Sequence, residues 1–360
     1  MAKLYIDVDK IYNNAKRVVE ISKQQGIDIT GVVKQCDADC KVAKAMVKAG
    51  CTSLAVSRTR QAKKLKNAGI QVPIWLIRVP AISELEEVIE YTDIVLITEL
   101  KTIKEINKLC IKKNKILKLV LMLEIGDLRE GFYPDEELIN SVKEIMQLSN
   151  VVIEGIGMNA SCYGSVIPSI ENTSKLVSVG KKVELVLGRK LNIYSGGNTT
   201  SLILVKDKTI PKEINNLRVG ESILLARDLT YLWKKPIENT YTDTFVLKAE
   251  VIEVKEKPSK PIGETFYDAF GKQPNFEDEG IRKRALVSVG KVDFLDDQGL
   301  IPKDKGIKVL GSSTDYLILD IHNADKDINV GDWLEFEITF ACMYSVSTSK
   351  DIKILYKERL

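Results

Sequence analysis

The chain has 360 residues, of which 44% are hydrophobic and 29% are charged, with 53 basic and 50 acidic side chains. This composition excludes a disordered chain, and the length is enough for a large barrel-type domain with a smaller second domain. A net charge of +3 gives no indication of a nucleic-acid partner. We interpret the single histidine, His322, as a loop residue, so acid–base chemistry has to use Lys, Tyr, Cys or carboxylates.

The sequence predicts a cytoplasmic protein. The first ten residues include charged side chains, and no apolar run approaches the roughly 18 residues that are needed to cross a bilayer. The six cysteines are scattered along the chain, which is typical of reduced thiols and not of a disulfide framework. Cys36 and Cys40 form a CxxxC pair, but no second thiol pair or histidine lies nearby in the sequence, so we predict no metal site.

Short apolar strands alternate with helical periods from residue 27 to residue 227, after an opening strand (4–8) and a helix (10–24). The predicted strands cover 29–34, 53–57, 73–79, 93–98, 117–126, 151–159, 191–196 and 217–225. Helices with apolar spacings of three and four include 59–68, 83–91, 100–113, 135–148 and 173–187. Eight such repeats predict an α/β fold, a (β/α)8 TIM-type barrel. A doubly wound sheet is the alternative, but no GxGxxG follows the first strand.

The pattern changes after Tyr231, where helical periods give way to alternating strands at 244–254, 284–292, 316–321 and 333–340. We therefore predict a barrel over 1–230 and a mostly antiparallel C-terminal β domain over 231–360. The alternating strand 4–8 could belong to either of them.

Polar residues follow several of the barrel strands, at the edge where such barrels carry their active sites. Lys34 follows the first strand, and the motif GDLREGF, which contains Arg129, follows the fifth. The motif SGGNTTS (195–201) ends the seventh strand, and LRVGES (217–222) opens the eighth. Barrels commonly bind a phosphate between strands seven and eight, although a polar turn with a helix cap would look the same. Together with a lysine at the barrel mouth, this predicts a phosphate-bearing aldehyde held as a Schiff base, such as pyridoxal 5'-phosphate.

The motifs VVK, GDLREGF, SGGNTTS, LRVGES, YDAFG, GIRKRA and GSSTDYLILD occur in this order along both domains. In this order the sequence resembles the alanine racemase-like family of pyridoxal-phosphate enzymes, and within it the ornithine racemase branch. The resemblance implies an amino-acid racemase that acts on ornithine or a similar basic amino acid by two-base proton transfer at Cα. It also implies a homodimer, in which the β domain of one subunit reaches the barrel mouth of the other.

The resemblance also implies roles for individual residues. Lys34 carries the cofactor and acts as one base, Arg218 faces the pyridine nitrogen, and Arg129 lies near the substrate carboxylate. The implied cofactor-binding residues are Lys34, Arg129, Asn159, Ser195, Gly196, Asn198, Thr199, Arg218, Gly220, Glu221 and Tyr344. The implied substrate-binding residues are Arg129, Thr314 and Asp315.

The second base and the substrate are less well determined. Tyr267 is the candidate for the second base, but the family's tyrosine–glycine spacing is not kept, so Asp268, Cys162 or a purely structural Tyr267 are alternatives. Ala38 stands where alanine-specific members often have a tyrosine, which disfavours alanine as the substrate. The alternative functions are an alanine racemase, a D-amino-acid lyase on the same fold, and a non-catalytic cofactor carrier. The long β domain argues against the carrier.

Overall fold

The computed structural model describes residues 2–271, 273 and 275–358. Its contacts divide the chain into a unit Val8–Thr242 and a second unit that joins the first strand to the residues from Asp243 onward. The boundary therefore falls after Thr242 and not at residue 230. The segment that follows residue 230 stays with the first unit because Asn14 exchanges side-chain hydrogen bonds with the backbone of Tyr241.

The unit Val8–Thr242 contains a closed barrel of eight parallel strands, joined in chain order, which confirms the predicted fold. After the chain's first strand, β1 (Ala2–Asp7), and the helix α1 (Val8–Lys23), the barrel strands are β2 (Asp28–Val32), β3 (Ser53–Val56), β4 (Ile74–Leu76), β5 (Ile94–Ile97), β6 (Leu117–Met122), β7 (Val151–Gly157), β8 (Ile193–Ser195) and β9 (Asn216–Val219). The helices between and after them are α2 (Cys40–Lys48), α3 (Thr59–Asn67), α4 (Leu85–Tyr91), α5 (Leu100–Lys113), α6 (Asp135–Ile145), α7 (Ile170–Leu187), α8 (Leu202–Lys206) and α9 (Glu221–Leu224).

Packing on both faces explains why the barrel strands are short and apolar. All four residues of β5 are buried, and side chains from successive strands fill the barrel interior. These side chains are Val32, Ala55, Trp75, Ile94, Leu96, Val120 and Met122. Gly155 in β7 lies so close to β8 that a Cβ would overlap with the carbonyl oxygen of Ile193. Because all eight strands are parallel, their carboxyl ends meet at one end of the barrel.

The second unit is a mostly antiparallel sheet, as predicted. Its remaining strands are β10 (Phe245–Pro258), β11 (Ile281–Val287), β12 (Leu300–Pro302), β13 (Lys308–Ser312), β14 (Leu317–Asp320), β15 (Trp333–Ile338) and β16 (Ile352–Lys357). The main path runs β12-β15-β10-β11-β14-β13. The strand β1 pairs antiparallel with β10 and parallel with β16, so the opening strand belongs to this sheet.

The structure also differs from the sequence prediction in two helices. A helix, α10 (Phe340–Thr348), lies in the β unit, where we expected no helices. Its sequence is largely apolar or small, so it lacks the polar face by which a surface helix is recognised. The predicted strand 217–225 is divided between β9 and α9, with Gly220 at the junction. In the described part of the chain, no helix is both long enough and apolar enough to span a membrane.

Candidate active site

The backbone at Lys34 is held by the side chain of Gln61, which also contacts the end of the neighbouring strand. Lys34 follows β2, and the chain then turns through Asp37 and Ala38, whose φ angles are 50° and 52°. The buried side-chain amide of Gln61 donates to the carbonyl oxygen of Lys34 (2.9 Å) and to Oδ1 of Asp37 (3.1 Å). Its Oε1 accepts from the backbone N–H of Ser57 (3.2 Å), just after β3. Gln61 therefore fixes the lysine relative to two strands of the barrel.

The amine of Lys34 lies in an environment that favours its neutral form. Burial lowers the pKa of Lys34 from its usual value, and the guanidinium groups of Arg129 and Arg218 lower it further, whereas Cys162 and Glu130 raise it. Within the described residues, no hydrogen bond or ion pair engages Nζ. A partly buried lysine amine beside other cations is the arrangement that makes lysine a nucleophile.

Arg218, on β9, is 3% exposed, and its guanidinium group is surrounded by acceptors. Nη1 donates to Oγ of Ser195 (2.5 Å), and Nη2 donates to the carbonyl oxygen of Met158 (2.7 Å) and to Oδ1 of Asn159 (2.7 Å). Burial lowers the pKa of Arg218 to about 10, which leaves it a cation at neutral pH.

A chain of buried polar groups continues behind Arg218. The hydroxyl of Ser195 donates to Oδ1 of Asn216 (2.6 Å), and Nδ2 of Asn216 donates to Oγ1 of Thr30 (2.8 Å). The hydroxyl groups of Thr30 and Ser53 lie 2.7 Å apart. The hydroxyl of Ser195 thus serves Arg218 and Asn216, so its side-chain contacts do not support the predicted phosphate-binding role. Ser195 ends β8, and its hydroxyl is directed into the barrel interior, where a buried guanidinium requires an acceptor.

Two carboxylates organise the loops after β6 and β7. The carboxylate of Glu124 accepts the backbone N–H groups of Gly126, Leu128 and Arg129. The buried carboxylate of Asp127 accepts those of Cys162, Tyr163 and Val166 in the next loop. Sequence reasoning missed both roles, although acidic residues in a glycine-containing loop are a recognised signal for such side-chain-to-backbone bonds.

These loops bring Arg129 and Asn159 to the same place. Nε of Arg129 is paired with the carboxylate of Glu130, and its Nη1 lies 3.0 Å from Sγ of Cys162. Nδ2 of Asn159 donates to Oε1 of Glu130 (2.5 Å), while its Oδ1 accepts from Arg218. The structure therefore joins the predicted residues Arg129, Asn159 and Arg218 through Glu130, a residue that we did not predict.

The turn after β8 is tightly constrained by its backbone and its own hydrogen bonds. Gly197 has a φ of 115°, and a Cβ there would overlap with Oγ of Ser201, so the position requires glycine. Oδ1 of Asn198 accepts the backbone N–H of Thr200 (3.0 Å) and caps the turn. The side chain of Asn198 is also tied to the carbonyl oxygen of Ala160 by its Nδ2 (2.6 Å). Gly196 and Thr199, two further predicted cofactor-binding residues, lie in the same buried turn.

The start of α9 completes this corner. The backbone N–H of Ser222 lies 3.4 Å from Oγ1 of Thr199. The hydroxyl of Ser222 is buried and has no hydrogen-bond partner among the described residues. The carboxyl of Glu221 is turned away to accept the backbone N–H groups of Arg227 and Asp228, and burial raises its pKa to about 7. A buried, unpartnered hydroxyl between two turns fits a phosphate oxygen, so the residues present fit the predicted cofactor. Gly220 precedes α9 directly.

The other predicted site residues belong to the β unit. Tyr267 is exposed in the segment between β10 and β11, Thr314 and Asp315 form the turn between β13 and β14, and Tyr344 lies on α10. Within this unit, Nζ of Lys291 lies 3.5 Å from the ring centre of Phe270, and its backbone N–H donates to Ser313 (3.0 Å). The Tyr267 segment and the Thr314 turn therefore lie at the same end of the β domain. The roles of these four residues remain predictions.

The thiols of the CxxxC pair contact the backbone. Sγ of Cys36 lies 3.4 Å from the carbonyl oxygen of Val33, and burial raises the pKa of this thiol to about 12. Sγ of Cys40 lies 3.9 Å from the carbonyl oxygen of Ala38. No group of three or more His, Cys, Asp or Glu side chains in the described ranges is arranged to hold a metal ion.

Comparison with known proteins assigns the family. Residues 6–228 match the model described as the N-terminal domain of alanine racemase. A lysine racemase of Thermotoga maritima is 39% identical over 355 residues, covering 99% of this chain and 98% of that protein. An ornithine racemase of Acetoanaerobium sticklandii is 38% identical over 351 residues, covering 98% of each chain. A solved alanine racemase from Bartonella henselae with covalently bound pyridoxal phosphate shares the fold, with a TM-score of 0.74 at 20% identity over 99% of each chain. The chain belongs to the alanine racemase family.

The charge environment of Lys34 predicts the effect of removing Arg129. In cofactor-free protein, we expect Lys34 to be acylated with a pH midpoint below 10.5, the ordinary lysine value. The variant Arg129→Gln should raise this midpoint, because a neighbouring cation no longer disfavours the ammonium form. Peptide mass mapping after brief acylation at a series of pH values measures the midpoint. Arg189→Gln, at the opposite end of the barrel, should leave it unchanged, and an unchanged or lower midpoint in Arg129→Gln would contradict the assignment.

Proposed function

We propose that this protein is a pyridoxal-phosphate-dependent amino-acid racemase, an isomerase, whose substrate is a basic amino acid such as ornithine or lysine. The observation that carries the proposal is the lysine amine with a lowered pKa, beside Arg129 and Arg218 at the carboxyl end of the barrel. The substrate class is supported by two relatives, a lysine racemase and an ornithine racemase, that align over nearly the whole chain.

Different residues of the barrel attach the cofactor, transfer the proton and bind the substrate. The cofactor, when bound, withdraws electrons from Cα and so acidifies the Cα proton. Lys34 attaches the cofactor and moves the proton at Cα on one face of the substrate. Arg129 would bind the α-carboxylate, and Arg218, which is a cation at neutral pH, would disfavour protonation of the pyridine nitrogen of the cofactor. The turn at Gly197 and the Ser222 hydroxyl hold the phosphate.

Racemisation also requires a proton-transfer group on the other face of Cα, and we assign it to Tyr267 of a second subunit. The 58% exposed side chain of Tyr267 lies against Phe266, which is 75% exposed, in the β unit. Two exposed side chains, Leu128 and Tyr163, lie in the loops that carry Arg129 and Asn159. Apolar surface of this kind favours an interface, and a two-fold dimer would cover both sets at once. Asp268 and Cys162 are the alternative groups.

We also place the protein in the cytoplasm. All six cysteines are free thiols in the structure, and four of them are buried. A chain with this many unpaired thiols suits a reducing compartment.

A panel of L-amino acids tests the proposed reaction. We expect incubation with enzyme and cofactor to give the D-enantiomers of ornithine or lysine, with a kcat/KM at least about tenfold above that for alanine. Ala38 replaces the tyrosine that is often found in alanine-specific members, and the two relatives that align over nearly the whole chain are a lysine racemase and an ornithine racemase. Chiral chromatography measures the products. Faster racemisation of alanine would overturn the substrate class, and conversion to an aldehyde or keto acid without D-product would overturn the racemase itself.

Hybrid dimers test the shared site. Lys34→Ala and Tyr267→Phe should each be inactive as homodimers. A purified hybrid that carries one variant in each subunit should recover about half of the wild-type activity, since one of its two sites is intact. Differently tagged subunits, co-expressed and purified over both tags, provide the hybrid. An inactive hybrid would contradict the sharing of sites, and an active Tyr267→Phe homodimer would move the second base to Asp268 or Cys162.

A further inference from the structure

The carboxylate of Glu130 is at the centre of the polar groups around Lys34. Its side chain is 18% exposed. Oε1 accepts from Nη2 of Arg129 (2.5 Å) and from Nδ2 of Asn159 (2.5 Å), while Oε2 is paired with Nε of Arg129. One carboxylate thus joins the loop after β6 to the end of β7.

The charge of Glu130 acts on both neighbouring cations. It raises the pKa of Lys34 and that of Arg218, whereas Arg129 lowers both. Without this carboxylate, the guanidinium groups of Arg129 and Arg218 and the amine of Lys34 would lose a negative charge that opposes their own, which is costly in a partly buried site. Glu130 therefore balances the cations of the site.

The pairing also leaves a defined part of Arg129 available. A guanidinium group has five N–H donors. Glu130 takes Nε–H and one N–H of Nη2, and Cys162 lies against one N–H of Nη1. Among the contacts of the described residues, this leaves one N–H on each Nη atom, and such donors can bind the oxygens of a carboxylate. An arginine held in this way gives up less side-chain freedom when it binds a ligand.

We propose that Glu130 is a positioning residue, which fixes Arg129 with an N–H donor on each Nη atom left for the α-carboxylate of the substrate and, through Asn159, links that guanidinium group to Arg218. This inference rests on the proposed racemase function. Glu130 itself holds neither cofactor nor substrate.

The variant Glu130→Gln tests this role. The control is Glu136→Gln at the exposed start of α6, which removes the same charge away from the site. We expect Glu130→Gln to raise KM for ornithine or lysine about tenfold while kcat changes less than about threefold, because Arg129 loses its charged partner. In cofactor-free full-length protein, the acylation midpoint of Lys34 should fall by about half a pH unit, since a carboxylate no longer stabilises its ammonium form. Glu130→Asp, which keeps the charge, should bring the acylation midpoint of Lys34 most of the way back to its wild-type value.

The outcomes separate the two proposals. Wild-type KM and midpoint in Glu130→Gln, or changes no larger than those of Glu136→Gln, would overturn the positioning role. A lower melting temperature with an unshifted midpoint would also overturn it, because it would show that Glu130 is only structural. The acylation midpoint is measured without cofactor or turnover. If the wild-type protein racemises no amino acid, the function fails while the midpoint still reports whether Glu130 acts on Lys34.

Discussion

A guanidinium group buried inside the barrel determines how the site is built, because a charge removed from water is tolerated only when its hydrogen bonds are satisfied. Arg218 finds its acceptors at the ends of β7 and β8, in Met158, Asn159 and Ser195. The hydroxyl of Ser195 can accept from Arg218 because its own proton is donated to Asn216. The polar chain then continues to β2 and β3. One buried cation is thus connected by hydrogen bonds to residues in or next to five barrel strands, β7, β8, β9, β2 and β3.

The buried guanidinium group of Arg218 also affects the protonation state of Lys34. Its amine lies where burial and two guanidinium groups favour the neutral form, which is the nucleophilic one. Glu130 moderates this effect, so the site is not simply a cluster of positive charge. The backbone of Lys34 is held separately, by Gln61 on α3. The position and the protonation state of the lysine are therefore controlled by different residues on different elements.

The barrel and part of its site could be predicted from the sequence. Parallel strands that are buried on both faces form short apolar runs, so all eight could be predicted, and Lys34 and Arg129 could be placed after strand ends. Arg218 is singled out by the family resemblance. The roles of Glu130 and Gln61 could not, because side-chain hydrogen bonds depend on loop geometry that local patterns do not encode. Two features of the fold could not be predicted either. The pairing of β1 with β16 joins the two ends of the chain, which local patterns do not reveal, and the largely apolar α10 lacks helical periodicity.

The central claim is that Lys34 carries the cofactor, and its most direct test is to trap the bond between them. The holoenzyme is treated with borohydride, digested and mapped by mass spectrometry. We expect one pyridoxyl-phosphate group per chain, on the peptide that contains Lys34, with loss of that label in Lys34→Ala. A label on another lysine in the wild-type protein, or a label that persists in Lys34→Ala, would contradict it.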